Sequence, residues 1–205
     1  MHQRLNDILI QIWQEEISHE FQTGAIPNYS ALQAHWFHLL KLALPARTQI
    51  WLDMVMEFPE IKQPDPRDMP RYFFKRKWNG HSLDLVIAQD HEILCIMEMT
   101  FSPTRFPHFD QSVALLSEIQ QIDLQALKLT HDQSANFSTL SEPFWITDHT
   151  LFCLCTIAKY QSLALDPHAI LGKIDAQAAY HPFLHLAGSI RKDSQRFSHF
   201  EFSKD

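Results

Sequence analysis

Between Ser82 and Phe101 the chain runs SLDLVIAQ, then Asp90-His91-Glu92, then ILCIMEMTF. Residues 84–88 and 93–97 are apolar on both faces of an extended chain, so neither strand can lie on a sheet open to water. The segment therefore predicts a buried central sheet covered by helices on both sides. Only two positions interrupt this apolar pair with carboxylates, Asp84 and Glu98.

The flanking segments supply both the layers and the remaining strands. Residues 2–22 carry Leu5, Leu9, Ile12 and Trp13 at helical spacing, with Gly24 and Pro27 ending the pattern. Ser30 reads as the N-cap of a second helix that stops before Pro45. TQIWLDMVMEF (48–58) reads as a strand, and 59–70, with Pro59, Pro64, Pro66 and Pro70, as a loop. RYFFKRKW, Asn79-Gly80 and HSLDLVIA read as a hairpin, because Asn-Gly suits a turn with two positive φ angles. Pro107 opens a helix expected to run to about Lys128. A polar loop follows over 130–142, then the strand TLFCLCTIAKY, and two short helices over 167–179 and 182–193. The expected architecture is one α/β domain over 1–205, with a mixed central sheet and helices on both faces. Its core spans about 30–160, with the N-terminal helix and the C-terminal helices (167–193) as additions.

Composition narrows the function classes. Four glycines exclude a glycine-rich phosphate loop. Three cysteines in 205 residues make no disulfide framework and fit a reduced compartment. Cys95, Cys153 and Cys155 read as core residues. No secretory h-region and no run of about 18 apolar residues is visible, so a cytoplasmic protein without a membrane partner is expected. A net charge of −7 argues against a generic nucleic-acid coating protein, though not against an enzyme whose cation offsets carboxylates. The 13 histidines are scattered, with no HxH or HExxH spacing.

Counting the hairpin register sharpens the chemistry. With Asp90-His91-Glu92 as the turn, Gln89 faces Ile93 and Asp84 lies opposite Glu98, with Cβ atoms roughly 4.5–5.5 Å apart. Two buried carboxylates repel, and a divalent cation between them removes the cost. The Asn79-Gly80 turn, counted likewise, brings Lys75 opposite Asp84 and makes a row of Lys75, Asp84 and Glu98. The bland counterpart is an ion network with no metal. Arg71, Lys75, Arg76 and Lys77 form a basic run that suits either a solvated strand face or a stripe contacting phosphates. Tyr72, Phe73, Phe74 and Trp78 suit either core packing or base stacking.

SLDLVIAQDHEILCIMEMTFSP resembles the core of the PD-(D/E)XK nuclease superfamily, the restriction-endonuclease-like fold. Asp84 matches that family's Asp and Glu98 its Glu. Phe101-Ser102-Pro103 matches the tail, and Gln111 falls where some members carry a functional Gln. The resemblance covers roughly residues 30–160. It implies hydrolysis of phosphodiester bonds in nucleic acid. It also implies Mg²⁺ or Mn²⁺ held by Asp84, Glu98 and the Met99 carbonyl, and a homodimer by fold-level analogy. The family's Lys is Thr100 here, which cannot supply a positive charge. Lys75 is the expected replacement as third catalytic residue, with Arg105 behind it. The alternative is a catalytically inactive nuclease-fold protein serving binding or assembly.

Overall fold

In the computed structural model, residues 2–58, 67, 69–101, 107–121, 126–131, 143–158, 181–191 and 194–202 are described. The chain starts with α1 (His2–Gln11), a π-helical turn (Ile12–Ile17) and α2 (Ser18–Gln22) in continuous succession. After these come α3 (Tyr29–Ala43), β1 (Gln49–Glu57), α4 (Met69–Trp78), β2 (Ser82–Gln89) and β3 (Glu92–Phe101). α5 (Pro107–Gln121), β4 (Ala126–His131), β5 (Phe144–Ala158), β6 (Phe183–Arg191) and β7 (Ser194–Phe202) complete the order.

The strands form one seven-stranded mixed sheet in the order β3-β2-β1-β4-β5-β6-β7, and β3 also pairs with β5. β3 runs antiparallel to β2 and parallel to β5, while β5 and β6 are parallel. Thus β3 is hydrogen-bonded on both edges. Both faces of the sheet are covered. Phe74 and Trp78 of α4, with Val113, Leu116 and Ile119 of α5, pack on Val86, Ile96, Phe152 and Leu154. On the other face Leu9, Trp13, Leu32 and Trp36 of the N-terminal helices pack on Leu85, Met97, Cys153 and Cys155. The α/β class and the two-sided cover expected from the doubly apolar strands are both present. The three cysteines are free and fully buried, and burial pushes their thiols up.

Four local expectations are corrected. Residues 69–78 are a helix, not the first strand of a hairpin. Phe74 and Trp78, four apart, are buried, while Phe73 is 55% exposed, a helical burial pattern. Gly80 at φ +79° ends this helix, with His81 N–H donating to the Trp78 carbonyl at 3.0 Å. A glycine with positive φ serves a helix C-terminus as well as a hairpin. Second, α5 stops at Gln121, and ALKLTH, including Leu127, is β4. Third, residues 183–191 form β6 rather than a helix, because the run Phe183–Ser189 is buried on both faces and shows no 3.6-residue period. The expected helix over 167–179 lies outside the described residues, as do Pro59, Pro64 and Pro66; Pro70 lies in α4. Fourth, the cap of α3 is Asn28, whose Oδ1 accepts from Ala31 N–H at 2.9 Å, with Ser30 inside the first turn.

The N-terminal helix is anchored to the far edge of the sheet. Trp13 Nε1–H donates to the Ser198 carbonyl at 3.0 Å, and its ring lies 4.9 Å from that of Phe197 and 6.3 Å from Trp36. Gly188 makes room for this stack: a Cβ there would stand 3.0 Å from Phe197 Cε1 and 3.2 Å from Trp13 Cζ2. Gly188→Ala is therefore expected to destabilise by about 1–3 kcal/mol, read as a lower urea midpoint with an unchanged m-value.

His185 of β6 is fully buried, stacks on Phe200, and has neither ring nitrogen hydrogen-bonded among the described residues. Burial lowers its pKa from 6.5 to about 4. The unfolded chain then takes up a proton that the folded chain refuses, so stability is lost as pH falls from about 6.5 toward 4. The limiting slope is about 1.4 kcal/mol per pH unit. His185→Leu is expected to flatten that slope in urea titrations between pH 4 and 7; an unchanged slope would assign the acid sensitivity elsewhere.

Candidate functional site

The site lies where β2 and β3 lose their regular pairing. The β2–β3 connection is a two-residue turn, Asp90-His91, with φ of +51° and +66°, the type I′ pattern. Gln89 therefore pairs with Glu92, not Ile93. A bulge then leaves Leu94 unpaired, and from Ile87↔Cys95 onward the pairing is the expected one, through Val86↔Ile96 to Leu85↔Met97. Beyond that pair the Asp84 side chain replaces the ladder: Met99 N–H donates to Asp84 Oδ2 at 2.5 Å.

The facing of the strands changes at the same level. Ile50 and Leu52 of β1 belong to the core under α3, whereas Met54 and Met56 belong to the opposite core. Between them Asp53 has φ +52°. In β2, Leu85 and Ile87 lie in one core and Leu83 in the other, with Asp84 at the change. Gln33 of α3 is buried and ties the two together. Its Nε2 donates at 2.9 Å both to Asp53 Oδ1 and to the Asp84 carbonyl.

The opening so formed is a cavity of about 400 Å³ lined by Tyr29, His81, Ser82, Asp84, Glu98, Met99, Thr100, Phe101, Gln111 and Ser112. The structure thus brings Asp84, Glu98, Met99, Thr100 and Gln111 together. Glu98 is 3% exposed. Its Oε2 accepts from the Ser112 hydroxyl at 3.1 Å and lies 4.0 Å from His81 Nε2, and its Oε1 is buried without a hydrogen bond among the described residues. Asp84 accepts from Met99 N–H, which favours its ionised form, and the neighbouring Tyr29 phenol acts in the same direction. Burial, followed by the charge of Glu98, nonetheless holds its carboxyl well above the usual range. The Tyr29 phenol is pushed up as well, first by burial and then by the Asp84 charge.

Lys75 is not where the hairpin count put it. It lies on α4, its ammonium 5.9 Å from the centre of the Phe58 ring, and it does not line the cavity. The row across the strands is Asp53, Asp84 and Glu98, with no lysine in it. Thr100 is buried and its hydroxyl donates to Thr156 Oγ1 at 3.1 Å. Arg105 lies outside the described residues. No Lys or Arg lines the cavity among the described residues. Four contributors had escaped notice. Asp53 carried a signal, a lone carboxylate in the apolar run IWLDMVM. His81, just after Asn79-Gly80, carried a weaker one. Tyr29 and Gln33 carried none, because only the packing of α3 brings them in. No family model matches the chain, and no curated protein matches it.

Asp84→Asn keeps an acceptor for Met99 N–H and removes one of two facing charges. A carboxyl raised in the fold binds its proton more tightly than the unfolded chain does, whose value is about 3.9. Stability is therefore lost as pH rises above that value, until the folded carboxyl is fully ionised. The metal-free variant is expected to be more stable than wild type at pH 7, by on the order of 1 kcal/mol, and the gain should shrink toward pH 4. Equal urea midpoints at both pH values would mean that the two carboxylates do not oppose each other.

Proposed function

We propose that the chain is a metal-dependent, nuclease-like protein of the restriction-endonuclease-like type, hydrolysing phosphodiester bonds in nucleic acid. The observation that carries this reading is the convergence of Asp84 and Glu98, from adjacent strands, on one cavity, with Glu98 Oε1 buried and unpaired. A hard cation suits that donor set, since Mg²⁺ and Mn²⁺ prefer oxygen and need only one or two carboxylates with water. No three His, Cys, Asp or Glu side chains form a cation-binding group among the described residues. The proposed ligands are accordingly Asp84, Glu98 and the Met99 carbonyl, with water completing the set. When bound, such a cation lowers the pKa of a coordinated water and offsets charge on the phosphate. The chain's own residues do the positioning. Ser112 orients Glu98, Met99 N–H orients Asp84, and Tyr29, His81 and Gln111 present polar groups at the wall.

A second reading, a non-catalytic nuclease-fold protein for binding or assembly, is favoured by one observation: Thr100 stands at the position of the lysine in the resembled motif, and no Lys or Arg lines the cavity among the described residues. One experiment separates the two. Mn²⁺ at millimolar concentration should raise the melting temperature by mass action and support weak nicking of plasmid or single-stranded DNA. Glu98→Gln should remove both effects. A wild-type melting curve indifferent to Mn²⁺ overturns the metal site, whereas Mn²⁺ binding with no cleavage of DNA or RNA selects the second reading.

A further inference from the structure

α4 offers a feature that the acidic cavity does not use. In a chain of net charge −7, its ten residues, MPRYFFKRKW, contain no acid, and its last turn carries Lys75, Arg76 and Lys77. Such a cluster at a helix C-terminus suits the helix dipole, but only one of the three is matched by a carboxylate. Lys77 Nζ pairs with Glu118 Oε1 at 2.5 Å and lies 4.6 Å over the Trp78 ring. Arg76 is exposed, and neither it nor Lys75 has a carboxylate within ion-pair distance among the described residues. Phe73, one turn earlier, presents its ring to solvent.

This cationic end adjoins the cavity. Asn79 and Gly80 lead from α4 directly to His81 in the cavity wall. The Trp78 and His81 rings meet edge-on at 5.1 Å, and Lys77 covers Trp78, so a single side chain separates the Lys77 ammonium from His81. The connection is held in place: Gly80 N–H donates to the Met56 carbonyl at 2.9 Å, Asn79 Oδ1 accepts from Phe58 N–H at 2.9 Å, and Trp78 Nε1–H donates to Glu118 Oε2 at 2.7 Å. A rigid cationic helix end beside a cavity with two carboxylates is suited to a polyanion whose backbone is gripped at one point and presented at another.

We infer that the C-terminal end of α4, through Lys75 and Arg76, binds the phosphodiester backbone of a nucleic acid and leads the strand to the Asp84–Glu98 cavity. The inference rests on the nuclease reading in naming nucleic acid as the polyanion. Phosphate contacts of this kind release counterions and make affinity steeply salt-dependent. The exposed Phe73 ring adds a surface on which a base can stack.

The test separates binding from cleavage. Fluorescein-labelled DNA and RNA oligonucleotides, single-stranded and duplex, are titrated with full-length protein in EDTA by anisotropy at several salt concentrations. Wild type should bind, and the more tightly bound polymer names the backbone. Lys75→Ala/Arg76→Ala should weaken binding on the order of tenfold at low salt and reduce the salt slope by roughly 1.5–2, the release expected for two phosphate contacts. Arg76→Glu, a single change at an exposed position, should weaken it in the same direction. Asp84→Asn should bind at least as well as wild type. Loss of affinity in the α4 variants supports the inference even if wild type cleaves nothing, in which case only the nuclease reading fails. Wild type that binds no oligonucleotide, α4 variants with wild-type affinity and slope, or binding to phosphatidylglycerol vesicles in place of oligonucleotides overturns it.

Discussion

β3 has no free edge and no open face. β2 and β5 take its hydrogen bonds, and helices cover it above and below. Every residue from Ile93 to Thr100 is consequently buried, Glu98 included. An ionised carboxylate in such a strand loses its hydration and recovers only what neighbouring donors supply. Ser112 supplies one hydrogen bond, and Oε1 has none. The surroundings of Glu98 are shaped by this deficit. β2 does not continue its ladder past Leu85, Asp84 turns its carboxylate to Met99 N–H, and a cavity opens at the oxygen left unpaired. A central strand of this kind would be more stable with an apolar residue at position 98. Retaining the acid is understandable if another group completes its coordination.

The irregularities around this point act together. Asp53 adopts a positive φ, uncommon for a residue other than glycine but tolerated by Asp because its short side chain bonds locally. Here its Oδ1 accepts from Gln33 Nε2 of α3, which also donates to the Asp84 carbonyl. One amide from α3 thus stabilises a kink in β1 and a break in β2. α3, laid across the opposite face from α5, is therefore part of the site: Tyr29 and Gln33 reach it from one side and Gln111 and Ser112 from the other. The cavity is lined from both layers, at the level where the β2–β3 pairing ends.

Much of the central sheet was legible because turn signals bound its apolar runs at strand length. β1, β2 and β3 and the covering helices other than α4 were expected. The register toward Asp84 and Glu98 was reached by a different route from the one the chain takes. A three-residue turn and a two-residue turn followed by a bulge at Leu94 give the same pairing beyond Cys95. The hairpin assigned to Asn79-Gly80 failed because a glycine of positive φ also ends helices. The burial of Phe74 and Trp78, four apart, decides between the two, and that spacing was readable. β6 was not readable as a strand, since a run buried on both sides has no period to distinguish it from a buried helix. Tyr29 and Gln33 were invisible in principle, because a helix about 50 residues earlier in the chain has no sequence mark of the strand it will cross.

Moving Lys75 from the sheet to α4 changes the logic of charge in the molecule. With a lysine in the row, Asp84 and Glu98 would be neutralised from within and the cavity would be a closed ion network. Without it, the row is acidic from Asp53 to Glu98, and the cations stand on a neighbouring helix with Trp78 and His81 between. Charges separated in this way do not cancel at short range, because the intervening rings keep the ammonium groups from reaching the carboxylates. Under the proposed reading each patch attracts its own counterpart, small hard cations in the cavity and polyanions along α4. The separation is maintained by Glu118, which fixes Lys77 and the Trp78 indole at once. The proposed phosphodiester ligand answers both demands, since its phosphates suit the helix and its bound cations suit the carboxylates.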